Sequence, residues 1–133
     1  MFVAHAAVHN RDLRLVDFVT AYLHAIMPYT IYAHPPPGFE RKGWLWLILK
    51  AYYGHPESGR LWYDVLDEIV VKFGFKPLAI DKASYSIVRD NDPQHTTLLT
   101  FHVDDGLHVA SEREHLALVK FFQKGGLRCK NLG

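Results

Sequence analysis

Between Leu99 and Val109 two short runs meet at a pair of adjacent carboxylates: Thr100-Phe101-His102-Val103-Asp104-Asp105-Gly106-Leu107-His108-Val109. Leu99, Phe101 and Val103 alternate with Thr100, His102 and Asp104. Period-two geometry sends the first set into a core and presents Asp104 on the polar face. Asp-Gly between apolar runs is a short hairpin signal, because a type I′ turn needs positive φ at both central residues. The chain is therefore expected to reverse here with its acids at the tip. A tight turn is one reading of those acids. The other comes from a third acid far upstream, Asp17 in Leu13-Arg14-Leu15-Val16-Asp17-Phe18, which also ends a strand-like run. One carboxylate at a strand end and two at a hairpin tip can hold divalent cations on a sheet surface.

The 133 residues suit one domain, and 49% hydrophobic with 14% aromatic content gives it a real core, which excludes a disordered chain. A formal net charge of +1 supplies no global field for phosphate, so any grip on nucleic acid is local or comes from sequence beyond this chain. The lone Cys129 rules out an internal disulfide framework and suits a reducing compartment. No apolar run approaches the roughly 20 residues of a membrane span, and no basic n-region precedes an apolar core. A soluble cytoplasmic or nuclear protein without a membrane partner is expected.

Phe2 to His9 reads as a helix end closed by Asn10 as a left-handed cap. His5 and His9 stand four apart, the spacing by which zinc hydrolases place two imidazoles on one helical face, but no glutamate lies between them to act as base. Leu13 to Phe18 reads as a strand, Thr20 to Leu23 as a helical turn, and Thr30 to Ala33 as a second strand. Pro35-Pro36-Pro37-Gly38-Phe39 fixes an extended segment and a turn, as a rigid loop or a ligand for an SH3 or WW domain. Trp44 to Leu49 is long enough for a buried strand.

From Glu57 the period changes: Leu61, Trp62, Val65, Leu66, Ile69, Val70 and Phe73 mark one helical face, while Asp64, Asp67, Glu68 and Lys72 mark a solvated one. Gly74 suits the exit. Ala83 to Val88 and Thr96 to Val103 read as antiparallel neighbours joined by a turn at Asn91-Asp92-Pro93. Ser111 with Glu114 makes a capping box for a helix whose apolar face is Leu116, Val119 and Phe122, ended by Gly125-Gly126. Lys120, Lys124, Arg128 and Lys130 form a basic end, as a solvated face or a phosphate contact. Hairpins mixed with helical crossovers give an α+β class, a largely antiparallel sheet backed by helices.

Read together, these segments resemble the reverse transcriptase of copia-type LTR retrotransposons. Val16-Asp17-Phe18-Val19-Thr20-Ala21-Tyr22-Leu23-His24 is similar to the family's first catalytic motif, and Ile31-Tyr32 leads into Pro36-Pro37-Gly38-Phe39 at the family's spacing. Lys50-Ala51-Tyr52-Tyr53-Gly54 with Ser58, Arg60, Trp62 and Tyr63 resembles Lys-Ala-Leu-Tyr-Gly-Leu-Lys-Gln-Ser-Pro-Arg-Ala-Trp-Tyr. Gly74-Phe75 and Asp81 with Ser84 fit the stretch that follows. His102-Val103-Asp104-Asp105 stands where the family has Tyr-Val-Asp-Asp, and Lys130-Asn131-Leu132-Gly133 resembles its Lys-Asp-Leu-Gly.

The resemblance implies a polymerase palm with a ferredoxin-like core over residues 1–133, lacking fingers upstream and primer grip and thumb downstream. It implies an RNA-directed DNA polymerase joining dNTP to a primer 3′-OH with two Mg2+ ions, Mn2+ being a substitute. Asp17, Asp104 and Asp105 would be catalytic and hold the metal, Asp105 more peripherally. Tyr22 would bar a ribose 2′-hydroxyl, Tyr53 and Gly54 would line the nucleotide pocket, with Gly54 permitting close backbone approach, and His102 would lie on the primer side. The partners would be an RNA or DNA template with primer, dNTP, and the remainder of the retrotransposon polyprotein, in a cytoplasmic virus-like particle or the nucleus. His102 replaces the family's Tyr, Ala25 and Ile26 replace a Gly and an acid, Glu57 replaces Gln and Gly59 replaces Pro. The isolated segment is expected to be weak or inactive. The alternative is an inactive relic or a domesticated module that binds nucleic acid or protein.

Overall fold

The computed structural model describes residues 1–90, 92 and 95–132. Its elements in chain order are α1 (Phe2–Val8), β1 (Asp12–Phe18), a 3₁₀ turn (Ala21–His24), β2 (Ile26–Ala33), β3 (Trp46–Lys50), α2 (Ser58–Phe73) and β4 (Lys76–Leu78). There follow β5 (Asp81–Val88), β6 (Thr96–His102), β7 (Asp105–Ala110), α3 (Glu112–Lys124) and β8 (Cys129–Asn131). One sheet has the order β4-β5-β6-β7-β1-β8, with neighbouring strands antiparallel, and β2 and β3 form a separate ribbon. The α+β class with a mainly antiparallel sheet is as expected.

Alternation along β1 explains the layering. Val16 and Phe18 are buried among Phe101, Leu99 and Tyr85 of the sheet, Trp62, Leu66 and Val70 of α2, and Leu118, Val119 and Phe122 of α3. Asp17, lying between them, therefore points to the other face of the sheet. On that face α1 covers Leu98 and Val109 through Ala6 and Phe2. Asn10 takes the left-handed conformation expected of it, φ +47°.

Several expectations need correction. The ribbon strand β3 is not buried: Trp46, Leu47 and Leu49 are exposed, because β3 pairs only with β2. The acidic face of α2 is not wholly solvated, since half-buried Asp67 accepts a 2.8 Å hydrogen bond from the Tyr85 hydroxyl. The buried face of α3 is His115, Leu118, Val119 and Phe122, while Leu116 is exposed. The capping box is present, with the Ser111 hydroxyl accepting from the Glu114 N–H and the Glu114 carboxylate accepting from the Ser111 N–H. The turn expected at Asn91-Asp92-Pro93 lies outside the described residues apart from Asp92, and so does Gly133.

Candidate active site

The hairpin between β6 and β7 closes on the pair His102 and Asp105, so Val103 and Asp104 are its two loop residues. Val103 has φ +55°, whereas Gly106 lies inside β7 and is not left-handed. The reversal thus falls two residues before the Asp105-Gly106 dipeptide that signalled it. Packing gives the reason. A Cβ on Gly106 would stand 2.6 Å from Val16 Cγ1 and 2.9 Å from Phe101 Cε1, so the glycine is consumed in letting three strands close up. Val103 takes the positive φ instead, at a cost of about 1–3 kcal/mol for a β-branched residue.

Two hydrogen bonds hold that loop. The buried Trp62 indole Nε1–H on α2 donates to the Val103 carbonyl at 2.6 Å, and the Phe18 N–H on β1 donates to the Asp104 carbonyl at 2.8 Å. Phe18 and Trp62 meet edge to face, 5.3 Å between ring centroids.

Strand register then brings the three acids to one end of the sheet. Asp17 stands directly opposite Asp105 across the β1–β7 pair, a Cα separation of roughly 5 Å, and the Asp104 carbonyl is bonded to the residue after Asp17. On its other side Asp17 faces Lys130 of β8. His102, Asp105, Asp17 and Lys130 thus form one row on the face away from α2 and α3. Asp104 is half-buried at the tip, more enclosed than its expected presentation on a polar face. Among the described residues no group of three or more His, Cys, Asp or Glu side chains is gathered closely enough to hold an ion. The three acids are neighbours on the backbone without forming such a group.

Thr20, left-handed at φ +56°, starts the 3₁₀ turn that carries Tyr22. The half-buried Tyr22 ring packs against the main core and lies 4.6 Å from the exposed Tyr53 ring. Gly54 has φ +98° and nothing within 4 Å of an added Cβ, so conformation, not close approach within the chain, is what requires glycine there. The preceding segment is tied to α2 by Ser58, whose hydroxyl donates to the Tyr52 carbonyl at 2.6 Å and accepts from the Tyr52 N–H at 3.0 Å. His5 and His9 do face each other, 4.5 Å between centroids, and a His5 ring nitrogen lies 3.0 Å from the Thr96 carbonyl oxygen.

Sequence reasoning placed Trp62 in a core by periodicity but could not reveal its hydrogen bond, and it read Gly106 as a turn residue when it is a packing residue. A family model described as reverse transcriptase (RNA-dependent DNA polymerase) matches residues 1–133. The chain belongs to this family. Relatives of this reverse-transcriptase chain include the retrovirus-related Pol polyprotein from transposon TNT 1-94 of Nicotiana tabacum, 26% identical over 131 residues, 96% of this chain and 10% of that protein. The transposon Ty1-LR3 Gag-Pol polyprotein of Saccharomyces cerevisiae is 30% identical over 64 residues, 48% of this chain and 4% of that protein. The truncated Ty1-A Gag-Pol polyprotein of the same yeast is 30% identical over 64 residues, again 48% of this chain and 5% of that protein. The reverse-transcriptase chain thus spans a tenth or less of these relatives' lengths. No solved structure matches it. Among the described residues no helix is long and apolar enough to cross a membrane.

Proposed function

We propose that residues 1–133 form the palm, with a ferredoxin-like core, of a copia-type retrotransposon polymerase that extends a primer on an RNA or DNA template. The observation that carries this reading is the register: Asp17 lies opposite Asp105, and the loop that holds Asp104 is bonded to β1. The donor set suits Mg2+, or Mn2+, because carboxylate oxygens are the hard ligands these ions take alongside substrate phosphates and water. Asp17 and Asp104 would hold the metal, with Asp105 at its edge. When bound, such ions supply charge stabilisation to the primer oxygen, the phosphorus and the departing pyrophosphate.

The chain's own residues do the remaining work. Tyr22, held by the core and by Tyr53, presents a ring too fixed to make room for a 2′-hydroxyl, which selects deoxynucleotides. Tyr53 offers an exposed aromatic face to the nucleotide, and the backbone at Gly54 stays uncovered. His102 lies beside Asp105, where the primer end would approach. The other partners are dNTP and the remainder of a Gag-Pol-type polyprotein.

The test is primer extension on poly(rA) with an oligo(dT) primer, comparing the full-length reading frame with its Asp104→Asn form, together with a Mn2+ titration of residues 1–133 with and without that change. Asp104→Asn is expected to weaken Mn2+ binding and incorporation on the order of 100-fold, since even indirect partners of metal ligands are worth about 10–100-fold. Equal Mn2+ affinity in the two proteins defeats the assignment.

A further inference from the structure

We infer that Trp62 is a positioning residue for the carboxylate hairpin: its indole N–H, through the Val103 carbonyl, keeps the loop left-handed and so sets where Asp104 stands beside Asp17. The inference rests on the reading of those acids as a cation site.

The loop has a conformation that its own sequence does not favour. Val103 at φ +55° is β-branched, and Gly106, the residue able to relieve the turn, is committed to packing against Val16 and Phe101. The conformation must be held from outside. Trp62 is only 2% exposed, and its 2.6 Å bond to Val103 is matched one residue later by the 2.8 Å bond from Phe18 to Asp104. The two donors belong to α2 and β1, and their rings touch. Displacing one displaces the other.

The placement of Trp62 on α2 adds a second consequence. Ser58, one helical turn earlier, is bonded to Tyr52, next to the Tyr53-Gly54 segment. A single turn of helix thus joins the carboxylate loop to the stretch proposed to line the nucleotide pocket.

Trp62→Phe keeps an aromatic ring in the core while removing the donor together with part of the ring volume, which is why the thermal midpoint is read beside amide exchange and Mn2+ affinity. Val103→Asn adds a residue that tolerates the left-handed region. Three readouts on the whole chain decide the matter: hydrogen exchange of the Phe18 amide by NMR, Mn2+ affinity by electron paramagnetic resonance, and the thermal midpoint. Trp62→Phe is expected to speed Phe18 exchange and weaken Mn2+ binding, each about three- to tenfold, the equivalent of one neutral hydrogen bond. Adding Val103→Asn to Trp62→Phe is expected to recover most of both. A lowered midpoint with Phe18 exchange and Mn2+ affinity unchanged overturns the inference and leaves Trp62 a packing residue. Should Trp62→Phe not fold, the wild-type indole proton decides: protection equal to that of the Phe18 amide supports the tether, and rapid exchange overturns it. If wild-type Mn2+ binding is indifferent to Asp104→Asn, the cation reading falls, while Phe18 exchange still reports on the tether by itself.

Discussion

His108 and His115 face one another between β7 and α3, both 1% exposed, with their Nδ1 atoms 3.4 Å apart. The His115 Nε2 lies 2.8 Å from the side-chain amide oxygen Oδ1 of Asn131 and so carries the proton, which leaves its Nδ1 bare. His108 then donates from Nδ1, and its own Nε2 is a buried acceptor with no partner among the described residues. Burial first, and the adjacent His115 second, push His108 down to about 3, against the opposing pull of Glu114 and with a further push from Arg11. His115 is lowered by burial and by Arg14, although its bond to Asn131 works the other way. Both rings are therefore held neutral when folded and take protons near 6.5 when unfolded. The stability His108 contributes is fully present above pH 6.5 and is lost as pH falls from there toward 3, at up to about 1.4 kcal/mol per pH unit, and His115 acts in the same direction. His108→Leu is expected to reduce the slope of unfolding free energy between pH 6 and 4 by up to about 1.4 kcal/mol per pH unit, read by urea titration at each pH. An unchanged slope would exclude His108 as a source of it. None of this was legible in the chain, because a histidine scored as polar does not look like a core residue.

The elements were more legible than the contacts between them. The Ser111 and Glu114 signature and the α2 periodicity reflect local geometry, and both helices are found where those signals put them. Strand β4 carries Pro77 at the sheet edge and gave no alternating pattern to read. The three acids were visible as residue types at the ends of strand-like runs, yet the position of the turn was not, because Gly106 was needed by neighbours remote in sequence. Gly106→Ala tests that account: its methyl would overlap Val16 and Phe101 in a strand at the middle of the sheet, at an expected cost of about 1–3 kcal/mol. The denaturation midpoint should fall accordingly, and an unaltered midpoint would show that β1 and β6 yield freely.

At the scale of the whole molecule, a large share of the exposed apolar side chains lies on the β2–β3 ribbon and its flanks, with others near the chain start and at Ile80. Ile26, Tyr32, Trp44, Trp46, Leu47 and Leu49 are all exposed on or beside the ribbon. Phe2 near the chain start, by contrast, is half-buried against Leu98 and Val109. Exposed apolar side chains gathered along one ribbon favour association. Sedimentation velocity should show concentration-dependent self-association that Leu49→Lys reduces, and identical profiles would point away from the ribbon. The register of β1 carries a further consequence for how the molecule comes into being. Asp17 is synthesised well before its neighbours on either side, Asp105 of β7 and Lys130 of β8. A nascent chain that has not yet extended past Asp105 has no strand to place beside Asp17 in this arrangement. Loop-closure entropy must be met before those pairings repay it, so assembling the acidic row is a non-local, slow event that no isolated hairpin or helix can anticipate.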